Sequence, residues 1–134
     1  MSTPRRSRLG SLLIALVVAA CGQAAPSASS APLGVVDVTL TAGPVCPVEQ
    51  NPPDPNCAPR PVADREMLVV TADGREVARG RSDAQGRLRF TVPYGSYLLR
   101  AAAFEGFPSP PSDEPVTVGA APVAVSLEFD TGIR

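Results

Sequence analysis

Short runs in which apolar and polar residues alternate constrain the fold of this chain most. Leu88, Phe90 and Val92 are each separated by one polar residue, which is the period of a strand with one buried face. No window of useful length has the 3.6-residue period of a helix. The same alternation, or an apolar run of strand length, recurs in segments 36–41, 67–71, 77–81, 97–101, 116–118 and 123–130.

Turn residues separate these runs. Asp73-Gly74 predicts a hairpin with positive φ at both turn positions, and residues 83–86 and 93–95 predict two further turns. A single sheet of these strands would leave one apolar face in water. We therefore predict an all-β, seven-stranded antiparallel sandwich of the Ig-like or transthyretin-like kind. Residues 130–134 continue past the last predicted strand, and we expect them to fold back onto the edge of the sandwich.

The N-terminal residues form a separate segment. Arg5, Arg6 and Arg8 precede an apolar run over residues 9–20, which is about half the ~20 residues of a membrane-spanning helix. A basic head followed by a short apolar run and small residues is typical of a secretory signal peptide. A short membrane anchor or a buried helix is the alternative, but the run is short and the residues after it are polar. We therefore assign residues 1–20 to a signal peptide.

Val18-Ala19-Ala20-Cys21 resembles the lipobox of bacterial lipoproteins. The resemblance implies that the Cys21 thiol carries a diacylglycerol, that residues 1–20 are removed, and that acyl chains hold the protein stably on a membrane. The protein would then lie on the cell membrane or the outer membrane, facing the periplasm or the exterior. Residues 22–32 are small, polar or proline and predict a flexible tether, followed by a domain over residues 33–134.

Cys46 and Cys57 remain once Cys21 is assigned to the lipid. An even pair in an oxidising compartment predicts a disulfide, and closing a ring of about 12 residues stabilises the fold by roughly 3 kcal/mol. The sequence offers no histidine to complete a metal site, and the spacing is not that of a Cys-x-x-Cys redox pair. The proline-rich loop between these cysteines is either a connection between the first two strands that the disulfide holds in place, or a recognition surface. Its candidate binding residues are Val48, Glu49, Gln50, Asn51, Asp54 and Asn56.

Residues 83–99 carry a second resemblance, to the carboxypeptidase regulatory-like domains, which are transthyretin-like sandwiches. An acidic turn with glycine, alternating apolar residues, a proline–glycine turn and a tyrosine two residues before a leucine make up the signature. The resemblance extends over roughly residues 35–129 and implies a fold and an accessory or surface role, but no specific activity. The matching residues are Asp83, Gly86, Leu88, Phe90, Pro93, Gly95, Tyr97 and Leu99.

Composition narrows the function classes. The chain has no histidine, lysine or tryptophan, so it lacks the usual base for a serine nucleophile and the lysine of an internal Lys–Asn isopeptide bond. Without the signal peptide, nine arginines face 13 acidic residues, a balance that argues against nucleic acid as a partner. We predict a non-catalytic protein-binding or accessory module without a cofactor, anchored by lipid and paired with an envelope protein. The alternative is a structural surface lipoprotein or a small-ligand carrier.

Overall fold

The computed structural model describes residues 30–106 and 108–134, so the predicted signal peptide and Cys21 lie outside the described part of the chain. A short 3-10 turn, Pro55–Cys57, lies in the loop after the first strand. The strands are β1 (Leu33–Gly43), β2 (Arg60–Pro61), β3 (Glu66–Val70), β4 (Glu76–Arg81), β5 (Arg87–Pro93), β6 (Gly95–Ala101), β7 (Glu114–Val118) and β8 (Val123–Asp130).

Two sheets form the predicted sandwich. In one, β1 is central: it pairs antiparallel with β5 and with β2 on one side, and with β8 on the other. The second sheet has the order β4-β3-β6-β7, with all its pairs antiparallel. The two-layer all-β prediction is therefore confirmed.

Two details differ from the seven-stranded antiparallel prediction. The two-residue β2 is an eighth strand, too short to show a period in the sequence. The β1–β8 pair is parallel, with Val36 opposite Val123 and Gly43 opposite Asp130. The direction follows from the path of the chain: β7 ends beside Gly95, close to where β1 begins, and a short crossing then starts β8 from that same end.

The core lies between the sheets. Val36, Val38 and Leu40 of β1 are fully buried, as the alternation predicts, and Phe90 is buried with them. Phe129 of β8 is the largest fully buried side chain among the described residues, and burying such a side chain stabilises the fold by about 1.5–3 kcal/mol. Tyr97 is only half-buried, and its hydroxyl donates a hydrogen bond to the Pro93 carbonyl oxygen at 2.8 Å.

The predicted β3–β4 turn is present but has another geometry. The Gly74 N–H donates to the Thr71 carbonyl oxygen, and the Thr71 N–H donates to that of Arg75, both at 2.9 Å. Gly74 has φ +86°, whereas Asp64 is the only described non-glycine residue with positive φ. The expectation of positive φ at Asp73 was therefore wrong: the loop is a three-residue turn with glycine in the left-handed position.

The strand directions give the sandwich two distinct ends. The tether end contains Leu33, the turn at residues 71–75, the β5–β6 corner at Tyr94 and the crossing at residues 119–122. The loop end contains residues 44–59, 62–65, 82–86, 102–113 and 131–134. Because β1 has 11 residues and a strand rises about 3.3 Å per residue, the two ends are about 35 Å apart.

Candidate functional site

The predicted disulfide closes the loop at the loop end. The sulfur atoms of Cys46 and Cys57 are 2.06 Å apart and their Cα atoms 5.3 Å apart, which confirms the pairing. Asp54 caps the 3-10 turn: its Oδ1 accepts hydrogen bonds from both the backbone N–H and the side-chain amide of Asn56, each at 2.9 Å. Asp54 and Asn56, two of the candidate binding residues, therefore shape the loop.

The other candidate residues of the loop face solvent. Val48 is 69% exposed. An open groove of about 630 Å³ runs along the loop. The structure brings Glu49, Gln50 and Asp54 together along this groove with the prolines of the loop, whereas Val48, Asn51 and Asn56 are not among its lining residues.

The root of the loop is fastened by the C-terminal residues. The Thr131 N–H donates to the Gly43 carbonyl oxygen at 3.1 Å, and the Thr131 hydroxyl donates to that of Pro44. Asp130 and Ser109 exchange two backbone hydrogen bonds, at 2.8 and 2.9 Å. Thr131 therefore continues along β1 to the start of the disulfide loop, and the C-terminal segment joins that loop to the loop that precedes β7.

Two ion pairs set the charge near this root. Asp130 accepts from the Arg134 guanidinium at 2.9 Å and from the Gly132 N–H at 2.8 Å, and these contacts lower the Asp130 pKa to about 2. Asp113 accepts from the Arg100 Nε at 2.9 Å, which lowers the Asp113 pKa. Both carboxylates are thus charged at neutral pH. Since the pairs are largely solvent-exposed, each adds little to stability.

An arginine stacked on aromatic rings lies at the same end. The Arg65 guanidinium carbon is 3.8 Å from the ring centroid of Phe104 and 5.3 Å from that of Phe129, within the range of a cation–π contact. Phe104 is 51% exposed. A groove of about 360 Å³ beside the pair is lined by residues 63–66, Arg81 and residues 102–104. The acidic neighbours of Arg65 pair elsewhere: Asp64 with Arg81 at 3.0 Å, and Glu66 with Arg79 at 2.6 Å.

Ser82 holds the segment that carries Arg65. Its side chain is buried; the hydroxyl donates to the Val62 carbonyl oxygen at 2.6 Å and accepts from the Arg65 N–H at 3.0 Å. Two backbone bonds, between Ser82 N–H and the Arg65 oxygen and between Asp64 N–H and the Ser82 oxygen, complete the contact. No sequence signal marked Ser82, Arg65 and Phe104, because these residues meet only through the pairing of β3 with its neighbours β4 and β6, and no local pattern encodes that pairing.

Comparison with known proteins supports the architecture. No family model and no curated protein matches this chain. Among solved structures, it is similar to the minor pilin GBS52 of Streptococcus agalactiae (16% identity, TM-score 0.59, 75% of this chain and 45% of that one). It is also similar to the N-terminal domain of the shaft pilin SpaA of Lactobacillus rhamnosus GG (16%, 0.52, 73% and 94%) and to the major pilin BcpA of Bacillus cereus (19%, 0.53, 72% and 28%).

The chain has the fold of a pilin-type Ig-like sandwich. It spans less than half the length of the GBS52 and BcpA chains, and at these identities the similarity describes the fold alone. The carboxypeptidase regulatory-like family is not confirmed. Within residues 30–106 and 108–134, no group of three or more histidine, cysteine or acidic side chains could hold a metal ion. The same residues contain no helix long and apolar enough to cross a membrane.

Proposed function

We propose that this chain is a lipid-anchored envelope lipoprotein whose rigid sandwich presents its loop end to an envelope protein, without catalysis. One observation carries the proposal: β1 begins at Leu33, where the tether enters, and ends at Gly43, where the disulfide loop begins. The chain therefore enters the domain at the end opposite the stapled loop. A protein anchored through residues 22–32 would hold the loop end farthest from its membrane.

The anchor is supported by the sequence and by the cysteine pairing. The basic head, the apolar run and Val18-Ala19-Ala20-Cys21 occur in the order of a lipoprotein signal. Cys46 and Cys57 bond to each other, so the disulfide does not use Cys21. The expected location is the cell membrane or the outer membrane, facing the periplasm or the exterior. The similarity to pilins, which are surface proteins, agrees with an envelope location.

Protein recognition is supported by the way the loop end is built. The disulfide and the Thr131 hydrogen bonds hold the loop in one arrangement, and a preorganised surface loses less entropy on binding. Arg65, stacked on exposed Phe104, combines two side-chain types that are enriched in protein interfaces. Val48 adds a second exposed apolar group. These three residues are the ones we expect a partner to contact.

A non-catalytic role is supported by composition. The chain has no histidine and no lysine, which are the usual bases for activating a nucleophile. GBS52 and BcpA, which share the fold, are pilins, and we propose that this chain too works by contact and not by chemistry.

In vivo cross-linking of the full chain, followed by detergent extraction and mass spectrometry, tests the proposal. We expect one stoichiometric envelope protein, lost in Val48→Asp and Phe104→Asp but retained in the control Thr91→Asp, which places the same charge on the exposed face of β5. Cys21→Ser should move the protein out of the membrane fraction. Continued sedimentation of Cys21→Ser with membranes would contradict the anchor, and recovery of the lipoprotein alone would contradict the binding role.

A structural surface module is the second candidate, because GBS52 and SpaA, which share this fold, are pilins. High copy number without a partner in the same cross-linking experiment would favour it. A small-ligand carrier is less well supported, since buried side chains such as Leu40, Phe90 and Phe129 fill the space between the sheets.

A further inference from the structure

We propose that the tether end of the sandwich is a membrane-contact surface, with Leu33 and Tyr94 seated in the headgroup region of the bilayer that holds the lipid anchor. The inference rests on the proposed anchor and goes beyond it. An anchor alone would leave the domain free to tumble on its tether. Contact at the tether end would instead fix its orientation, with the loop end pointing away from the bilayer.

The two residues are exposed and lie on neighbouring segments at the tether end. Leu33 is 60% and Tyr94 42% exposed. Leu33 lies opposite Pro93 in the β1–β5 ladder, and the Tyr94 N–H donates to the Pro32 carbonyl oxygen at 3.0 Å. The last tether residue is thus hydrogen-bonded to the residue that presents the aromatic ring. A lipid attached through the tether would bring this pair to the membrane first.

The corner that carries Tyr94 is held by a side-chain hydrogen bond. Tyr94 is the single residue between β5 and β6, where the chain passes from one sheet to the other. The Tyr97 hydroxyl donates to the Pro93 carbonyl oxygen at 2.8 Å and braces that corner. Tyrosine has an apolar ring and a polar tip, which is why it is enriched where membrane meets water. Leu33, exposed at the same end of the sandwich, supplies the purely apolar part of such a contact.

Charge favours the same orientation. At the tether end, Asp73 is accompanied by Arg75 in one turn, and the Glu76 carboxylate pairs with Arg79 at 2.8 Å. Residues 119–122 add only glycine, alanine and proline. The loop end holds six of the 13 acidic residues of the chain and two arginines, Arg65 and Arg134; the acidic six are Glu49, Asp54, Asp64, Asp83, Glu105 and Asp113. Because bacterial lipid surfaces are commonly anionic, repulsion is smallest when the tether end approaches the bilayer.

The length of the tether makes the contact frequent. The chain preceding the described residues reaches the sandwich at this end, since β1 starts at Leu33. A tether of eleven residues with the composition of 22–32 would span roughly 5–6 Å times the square root of their number, about 18 Å. That is shorter than the roughly 35 Å of β1. The tether end therefore stays near the lipid surface at high effective concentration, so even a weak apolar contact would be occupied.

The absence of tryptophan provides a clean test. Tyr94→Trp in the full lipidated chain is reconstituted into vesicles of phosphatidylethanolamine and phosphatidylglycerol, with and without bromine on the acyl chains. We expect its emission to shift to shorter wavelength in the vesicles and to be quenched by the brominated lipid. Phe104→Trp, at the loop end, is the matched control and should show neither change. Leu33→Trp serves as a second probe at the tether end should Tyr94→Trp fail to fold.

Flotation of the same samples separates the inference from the anchor. A chain that does not float with the vesicles would overturn the anchor and the inference with it. A chain that floats while both tether-end probes remain unquenched would keep the anchor and overturn the contact. Equal quenching of the Phe104→Trp control would also overturn it, because the sandwich would then lie on its side. Quenching confined to the tether-end probes supports the inference.

Discussion

Replacing Ser82 with alanine removes one oxygen atom and tests how the loop end is held together. The serine hydroxyl donates to the Val62 carbonyl oxygen at 2.6 Å and accepts from the Arg65 N–H at 3.0 Å. Ser82→Ala keeps the Cβ and the two backbone bonds to neighbouring residues. It therefore adds no steric clash, and its effect reports the loss of the hydroxyl alone.

The expected loss of stability follows from the two backbone groups that Ser82→Ala leaves without a partner, the Val62 carbonyl oxygen and the Arg65 N–H. A buried donor or acceptor without a partner costs about 1–3 kcal/mol, and Ser82→Ala strands one of each. Ser82 is 6% exposed, so water reaches the site only in part, and we expect a total loss of about 2–4 kcal/mol. For a domain of this size that corresponds to a drop of at least about 8 °C in Tm.

Urea unfolding followed by circular dichroism measures the loss, on the full chain carrying Cys21→Ser so that it is unlipidated. The dependence on urea, m, should stay unchanged, since the surface exposed on unfolding is the same. Ser96→Ala, at an exposed position of β6, is the control and should change the free energy of unfolding by less than about 0.5 kcal/mol. A Ser82→Ala loss as small as that of the control would refute the reasoning.

Two further predictions concern the turns and the C-terminal root. Gly86→Ala should destabilise the fold by about 3 kcal/mol or more, because φ is +72° and a Cβ would lie 2.2 Å from the Leu40 carbonyl oxygen. The control Gly74→Ala, at φ +86° with open space around it, should cost only about 1–2 kcal/mol. Equal losses of the two variants in urea unfolding would contradict this prediction. The pKa of Asp130 in the folded protein is lowered to about 2 from 3.8. The stabilisation from its pair with Arg134 is therefore complete above the unfolded pKa and is lost as pH falls through 2. Arg134→Gln should raise the Asp130 pKa in an NMR titration, and an unchanged pKa would count against the pair.

The fold was predictable where a local signal dictates it. Alternation at Leu88, Phe90 and Val92 requires one buried face, and the structure buries the last two and half-buries the first. The parallel β1–β8 pair was not predictable in this way, because alternation does not encode which strand lies beside which. The turn at Gly74 shows a finer limit, since glycine identifies the left-handed position but not the number of residues in the loop.

In the candidate site too, only some of the contacts could be predicted from local sequence. Two cysteines in an oxidising compartment predict their own pairing, and the structure confirms it. The contact between Arg65 and Phe104 depends on two loops that the sandwich brings together, and no spacing in the sequence marks it. The sequence indicated only that Thr131 belongs to a segment continuing past the last strand. Its hydrogen-bond partner Gly43 could be identified only from the parallel pairing of β1 with β8.

The parallel register also determines where the disulfide loop stands. Because β8 runs beside β1 from Val36 to Gly43, both strands end together, and the last residues of β8 can fasten the root of the loop. Antiparallel pairing would have carried the C-terminal residues to the tether end, leaving the loop held by the disulfide alone. The distance between Leu33 and the disulfide loop is thus set by the length of β1, about 35 Å, and not by the tether. Lengthening the tether should therefore weaken the proposed contact of Tyr94 with lipid without changing the geometry of the loop.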